Sequence, residues 1–179
     1  MKGAIFYATQ YGSTAQYAEW IGAATGLPVF DVKDADADPA NYEFLVLGSA
    51  VIYYKPIIHK WVKRNLDRIG ARPVILFTVS GAPAGAKLDG WIANSLPQSL
   101  IARMQHVALR GRQVPKDLTR FDRAMLIIAG LLNRDRKAGR EEMQGFDYMD
   151  GSSIEPVVAM VQKLQSTKSG RAAKAARKT

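Results

Sequence analysis

Apolar runs and amphipathic stretches take turns along the chain. Ala4 to Ala8 reads as a first strand, and the stretch after it places Thr14, Ala18, Ile21 and Thr25 on one helical face until Gly26 stops it. Pro28 to Val32 is a second strand pattern, and the DADADP stretch that follows is a polar connection. Tyr42 to Leu47 is dominated by apolar residues, as in a strand buried on both faces, with Gly48 and Ser49 closing it. Ile57 to Ile69 gives the clearest helix: Ile58, Trp61, Val62, Leu66 and Ile69 fall at three-and-four spacing, opposite Lys60, Lys63, Arg64 and Asp67. Pro73 to Val79 predicts a fourth strand and Ser80 to Lys87 a loop of small residues. Asp89 to Ala102 predicts a helix interrupted at Pro97, and Gln105 to Leu109 a fifth strand. A last helix covers Ser152 to Leu164, with Ile154, Val157, Val158, Val161 and Leu164 inward. Five strands alternating with helices predict an α/β fold with a parallel sheet wound on both faces.

Such sheets bind ligands beyond the carboxyl ends of their strands. Three loops leave strands directly and share that rim: 9–14, 49–56 and 80–87. The first, TQYGST, runs from a strand into a helix N-terminus, where the first N–H groups lack intrahelical partners and carry partial positive charge. Gly12 lets the main chain approach a ligand, and Thr9, Ser13 and Thr14 add hydroxyl donors. Neither the Lys of a nucleoside-triphosphate loop nor the three spaced glycines of a dinucleotide fingerprint is present, so one terminal monophosphate fits best. The plainer alternative is a capping box, in which Ser13 caps the helix and Gln16 reaches back.

Composition narrows the chemistry further. The 179 residues suit one domain with an extension, and they contain no cysteine, which removes disulfides, thiolate nucleophiles and cysteine-ligated metals. His59 and His106 each stand alone in their elements, so no resident metal is expected. The chain opens directly on a strand pattern, and no apolar run reaches the roughly 20 residues of a spanning helix, which predicts a cytoplasmic protein. The formal charge of +9 is concentrated in two places. Residues 110–140 carry nine Lys/Arg against Asp117, Asp122 and Asp135, and residues 163–179 carry six Lys/Arg and no acid; the remainder is mildly acidic. Basic appendages on such a domain suit an anionic surface or ligand, the inner face of a membrane included. Nucleic acid is disfavoured, since the basic tail has no interleaved aromatics and no groove-reading module accompanies it.

On these residues the chain resembles flavodoxin-fold proteins, and among them the menaquinone-dependent protoporphyrinogen dehydrogenase family. The resemblance implies a doubly wound five-stranded parallel sheet in the order 2-1-3-4-5, spanning residues 1–165, with 166–179 a basic, unstructured tail. It implies FMN as cofactor, with Thr9, Gln10, Tyr11, Gly12, Ser13 and Thr14 holding its phosphate. GSAVIYYKP would flank the flavin ring through Ser49, Ala50 and either Tyr53 or Tyr54, and TVSGAPAGAK would cover the other side through Ser80, Gly81 and Ala82. ALRG at 108–111 and RFDRAMLIIAGLL at 120–132 resemble the long insertion of the dehydrogenases, although GRQVPKDLT stands between them where several aromatic and basic residues are typical.

Two features keep alternatives open. Tyr53 and Tyr54 either contact the ring or pack over the sheet edge. Ala124 to Leu132, nine apolar positions flanked by Arg120 and Arg123 before and Arg134, Arg136, Lys137 and Arg140 after, either line a lipophilic groove or membrane interface, or pack on the sheet. Two functions follow. An enzyme would oxidise a hydrophobic or carboxylate-bearing small molecule, with Arg110, Arg112, Arg120 and Arg123 as carboxylate partners, and pass electrons to a quinone. A carrier would pass electrons to a redox partner protein through an exposed flavin edge.

Overall fold

A computed structural model describes residues 1–34, 37–132 and 144–176, with side chains placed except at 129–132 and 168–176. Five parallel strands form its sheet: β1 (Gly3–Ala8), β2 (Val29–Asp31), β3 (Phe44–Ile52), β5 (Val74–Ser80) and β6 (Met104–Arg110). Their spatial order is β2-β1-β3-β5-β6, which is the expected 2-1-3-4-5 when only the parallel strands are counted. A two-residue strand, β4 (Lys55–Pro56), folds back antiparallel on the end of β3.

Alternate side chains of each central strand feed opposite cores. On one face Phe6, Leu45, Leu47 and Leu76 pack with Ile58, Trp61 and Val62, and with Leu88, Ile92 and Leu100. These belong to or adjoin α2 (His59–Arg64), α4 (Ala86–Ala93) and α5 (Gln98–Ile101). On the other face Ile5, Val46, Ile75 and Phe77 pack against Tyr17, Ala18 and Ile21 of α1 (Ser13–Thr25) and Val157 and Val161 of α7 (Glu155–Ala176). Full burial of each such side chain contributes about 1.5–3 kcal/mol, enough to hold the rim loops on a rigid base.

Several boundaries differ from the sequence expectation. β3 runs through Gly48 and Ser49 to Ile52, because Gly48 leaves the space that the Phe77 ring fills and the strand continues past it. The helix expected over 57–69 divides at Asn65 (φ −107°, ψ 15°), which donates from Nδ2 to Trp61 O at 3.0 Å and starts α3 (Leu66–Ile69). The tail expected to be unstructured from residue 166 is helical to Ala176, since α7 continues through a run rich in Ala, Lys and Arg, all strong helix formers. The insertion after β6 holds a small antiparallel pair, β7 (Arg112–Gln113) with β8 (Phe146–Asp147), and the helix α6 (Arg120–Leu132). The cations Arg134, Arg136, Lys137 and Arg140 lie outside the described residues. No helix among the described residues is long and apolar enough to cross a membrane.

Candidate functional site

The loop between β1 and α1 is shaped by one glycine. Gly12 occupies the N-cap of α1 in the left-handed region (φ 87°, ψ −22°), and the space where its Cβ would stand is open for at least 4 Å. Its N–H donates to Thr9 Oγ1 at 3.1 Å, which closes the loop, and its carbonyl accepts from Gln16 N at 3.0 Å, which begins the helix ladder. The capping box is therefore not formed. Ser13 lies inside the helix and its Oγ meets the Arg112 main chain, donating to the carbonyl at 3.4 Å and accepting from N–H at 3.3 Å. Thr14 is fully buried in the first turn, and its hydroxyl has no hydrogen-bond partner. An unsatisfied buried hydroxyl costs about 1–3 kcal/mol, and a ligand acceptor at this position would remove that cost. Together with the N–H groups of the first turn, it offers the donors that a small anion could accept from.

The second loop is a two-residue hairpin turn. Ile52 pairs with Lys55 and Val51 with Pro56, leaving Tyr53 and Tyr54 at the tip with φ of 48° and 64°. A tight hairpin of this twist demands positive φ at both tip residues, positions usually given to Asn and Gly. Two tyrosines there store strain of the kind concentrated at functional sites. Both rings stay exposed, at 49% and 66%. Tyr54 leans on Trp91 with ring centroids 5.0 Å apart, and Lys87 sits over that indole. Tyr53 turns the other way, its hydroxyl donating to Asp122 and its ring lying edge-on to Phe121 at 6.4 Å. The two tyrosines thus diverge because the chain reverses between them. Ser49 is buried: its Oγ donates to Ala50 O at 2.8 Å and accepts from Ile58 N at 3.2 Å, so it braces the loop from below.

At the third loop Ser80 Oγ donates to Ala82 O at 3.0 Å, and Gly81 has no side chain because Phe146 occupies its place, with a ring carbon 2.5 Å from where a Cβ would stand. Phe146 stacks on Tyr148 at 4.9 Å and 18°, and the Arg110 guanidinium covers Tyr148 at 4.1 Å. Arg112 pairs loosely with Asp147 at 3.9 Å, and Arg120 and Arg123 are exposed on the first turn of α6. Of the four arginines, Arg110 and Arg112 therefore meet Tyr148 and Asp147, and Arg120 and Arg123 flank in sequence the Phe121 and Asp122 that contact Tyr53.

Asp122 joins the first two loops. It accepts from Tyr11 Oη, from Gln10 Nε2 at 3.0 Å, from Tyr53 Oη and from Thr119 Oγ1 at 2.8 Å, and its own N–H donates back to Thr119 Oγ1 at 3.1 Å. These bonds, led by that of Tyr11, hold its carboxyl below the usual carboxylate range. Local desolvation, the hydrogen bond to Asp122 and its charge push the Tyr53 phenol up to about 12. Beside the phosphate-type loop a shallow cleft is lined by Tyr11, Arg112, Val114 and Asp117.

Asp122, Phe121, Trp91, Phe146 and Tyr148 are absent from the sequence-level site. One signal was available: Thr119 followed by Asp122 before an apolar run is a capping-box pattern, and it fixes the start of α6. The aromatic partners carry no local signal, since register and sheet order alone bring residues 91 and 146 to the rim. Among the described residues no group of three His, Cys, Asp or Glu could hold a metal ion.

Solved structures similar to the chain include a flavodoxin from the domain Archaea (16% identity, TM-score 0.45, covering 90% of this chain and 99% of that one). The Trp repressor binding protein of Bacillus subtilis is 16% identical, with a TM-score of 0.47 and coverage of 75% and 99%. A flavoprotein from Lactobacillus acidophilus NCFM in complex with FMN is 17% identical, with a TM-score of 0.43 and coverage of 61% and 91%. No curated protein matches. The model of the flavodoxin domain family matches residues 4–137, three quarters of the sequence and all three rim loops, and the chain belongs to that family.

Proposed function

We propose that the protein binds FMN at this rim and uses it for electron or hydride transfer. The observation that carries the reading is the buried, unpartnered Thr14 hydroxyl in a first helical turn preceded by a left-handed glycine. A terminal phosphate supplies the acceptors that such a site lacks. Tyr53, Tyr54 and the Gly81 loop supply exposed aromatic and backbone surface for a flat ring, and the strain at the tyrosine turn is explained if ring contact compensates it. When bound, FMN supplies the redox chemistry, and the chain's own work is to hold, orient and shield it. The purified protein should be yellow and release FMN, identified by mass, at close to one per chain. Gly12→Val should abolish this, because a β-branched residue is unfavourable at φ 87° and would distort the loop backbone. Unaltered FMN content in that variant refutes the site.

One observation favours an enzyme acting on a lipophilic molecule over a carrier docking on a protein. Every large apolar side chain exposed among the described residues lies on the tyrosine turn, on α6 or at Tyr148: Tyr53, Tyr54, Phe121, Met125, Ile127, Ile128 and Tyr148. Apolar surface gathered around one rim and edged by Arg120 and Arg123 suits an amphiphilic substrate with carboxylates, a porphyrinogen being one such compound, and a quinone as electron acceptor. Arg120→Ala with Arg123→Ala should lower quinone-linked oxidation about tenfold or more at unchanged FMN content, since each charge-assisted bond lost is worth about 1.5–3 kcal/mol. Absence of any quinone-dependent turnover in FMN-loaded wild type would favour the carrier.

A further inference from the structure

We infer that Asp122 is a positioning residue that makes the phosphate-type loop and the tyrosine turn one mechanical unit, with the first turn of α6 fastened across both. This rests on the FMN reading for its consequence, and on geometry alone for its existence. Four neutral donors converge on the carboxylate: Gln10 and Tyr11 from the first loop, Tyr53 from the β3–β4 turn, and Thr119 from the N-cap position of α6. Gln10, Tyr11 and Thr119 meet Oδ2, and Tyr53 meets Oδ1. The sequence separations are 112, 111, 69 and 3 residues, so one side chain unites three distant segments. Phe121, next in sequence, closes on the edge of the Tyr53 ring and fixes its orientation from the second side.

This arrangement divides labour within the first loop. The outward side chains of Gln10 and Tyr11 are engaged with Asp122, and the main-chain N–H groups and the Thr14 hydroxyl remain for an anion. The turn that carries Tyr53 is strained and its ring is half exposed, so without a tether the ring would sample several orientations over a bound flavin. Asp122 supplies that tether by bonding the Tyr53 hydroxyl on one side and the Gln10 and Tyr11 side chains on the other. A mere capping role for Asp122, confined to Thr119, would leave the tyrosine turn independent of it.

The test compares wild type with Asp122→Ala, Asp122→Asn, Tyr53→Phe and the Asp122→Ala/Tyr53→Phe double variant, each as the full chain. Amide hydrogen exchange is followed without added FMN over residues 52–57 and 119–125, and fluorescence of bound FMN is read after loading. In Asp122→Ala exchange should rise at least tenfold in both segments. Tyr53→Phe should reproduce the rise at 52–57 alone, and Asp122→Asn, which keeps an acceptor oxygen, should fall between wild type and Asp122→Ala. Bound FMN should brighten in Asp122→Ala and in Tyr53→Phe, as a tyrosine held over the flavin would be released or replaced, and no further in the double. Faster exchange at 119–125 with wild-type exchange at 52–57 would show a cap only and overturn the inference. Failure of the wild type to take up FMN would overturn the flavin reading, whereas the exchange at 52–57 would still decide the tether.

Discussion

Replacing Thr14 by Val separates what the folded chain needs from what its ligand needs. The side chain is fully buried and its hydroxyl unpartnered, and Val has nearly the same shape and the same branching at Cβ. Removing an unsatisfied buried hydroxyl recovers about 1–3 kcal/mol in the protein free of ligand. Helix propensities of Thr and Val are close, so nothing on the backbone side offsets that gain. For a chain of this length about 1 kcal/mol corresponds to a rise of roughly 2–4 °C in Tm. Ligand binding should move in the opposite direction. A hydroxyl bonded to a charged phosphate contributes about 1.5–3 kcal/mol, so FMN affinity should fall by about ten- to a hundredfold. Urea denaturation of the flavin-free protein, with equal m-values required, gives the first quantity, and quenching of FMN fluorescence on titration gives the second. A Thr14→Val variant that is less stable without flavin and binds FMN as tightly as wild type would refute the assignment of this hydroxyl to the phosphate site.

Three further outcomes are expected. Exchanging the turn for Asn-Gly (Tyr53→Asn with Tyr54→Gly) relieves left-handed strain worth roughly 1–2 kcal/mol per residue and gives up the Trp91 and Asp122 contacts, so flavin-free stability should hold within about 1 kcal/mol while FMN binding weakens, both read by the same titrations. Burial lowers the pKa of His106, with the Asp89 charge opposing it in part. The unfolded chain therefore takes up the proton first, so stability should fall as pH drops below about 6.5, and His106→Gln should flatten that slope in denaturation curves at successive pH values. Gly81→Val would drive Cβ into the Phe146 ring, so Phe146 must leave its stack on Tyr148, and FMN binding should weaken with little change in the main sheet, as far-ultraviolet circular dichroism would show.

Much of this architecture is written in local pattern. The five parallel strands follow from apolar runs alternating with helical periodicity, their order from the likeness to flavodoxins, and Gly12 takes the left-handed conformation that its place in the loop implies. What the pattern does not carry is side-chain direction at the rim. Tyr53 and Tyr54 contain no signal for a primed turn, because that conformation is imposed by the register of β3 with β4 against the preference of both residues. Ser13 looks like a cap and instead bonds a strand 99 residues away. Asp122 looks like a solvated acid among arginines until tertiary structure brings two tyrosines and a glutamine to it. The last helix outruns its apolar pattern for a different reason: Ala and Lys, as good helix formers, propagate a helix that is anchored by the buried Val157 and Val161.

Tyr17 gives the site a history as well as a shape. Its ring is fully buried, and its hydroxyl donates to Arg110 O at 2.8 Å and accepts from Asp150 N at 3.1 Å, partners 93 and 133 residues further along. On a ribosome adding about 5–20 residues per second, α1 therefore waits roughly 7–27 s for the second of these groups to be made. The helix that follows the phosphate-type loop is among the first segments synthesised and among the last to be locked. A chain released before residue 150 would carry the whole phosphate-type loop and yet leave a buried phenol half satisfied, which makes truncated products targets for degradation.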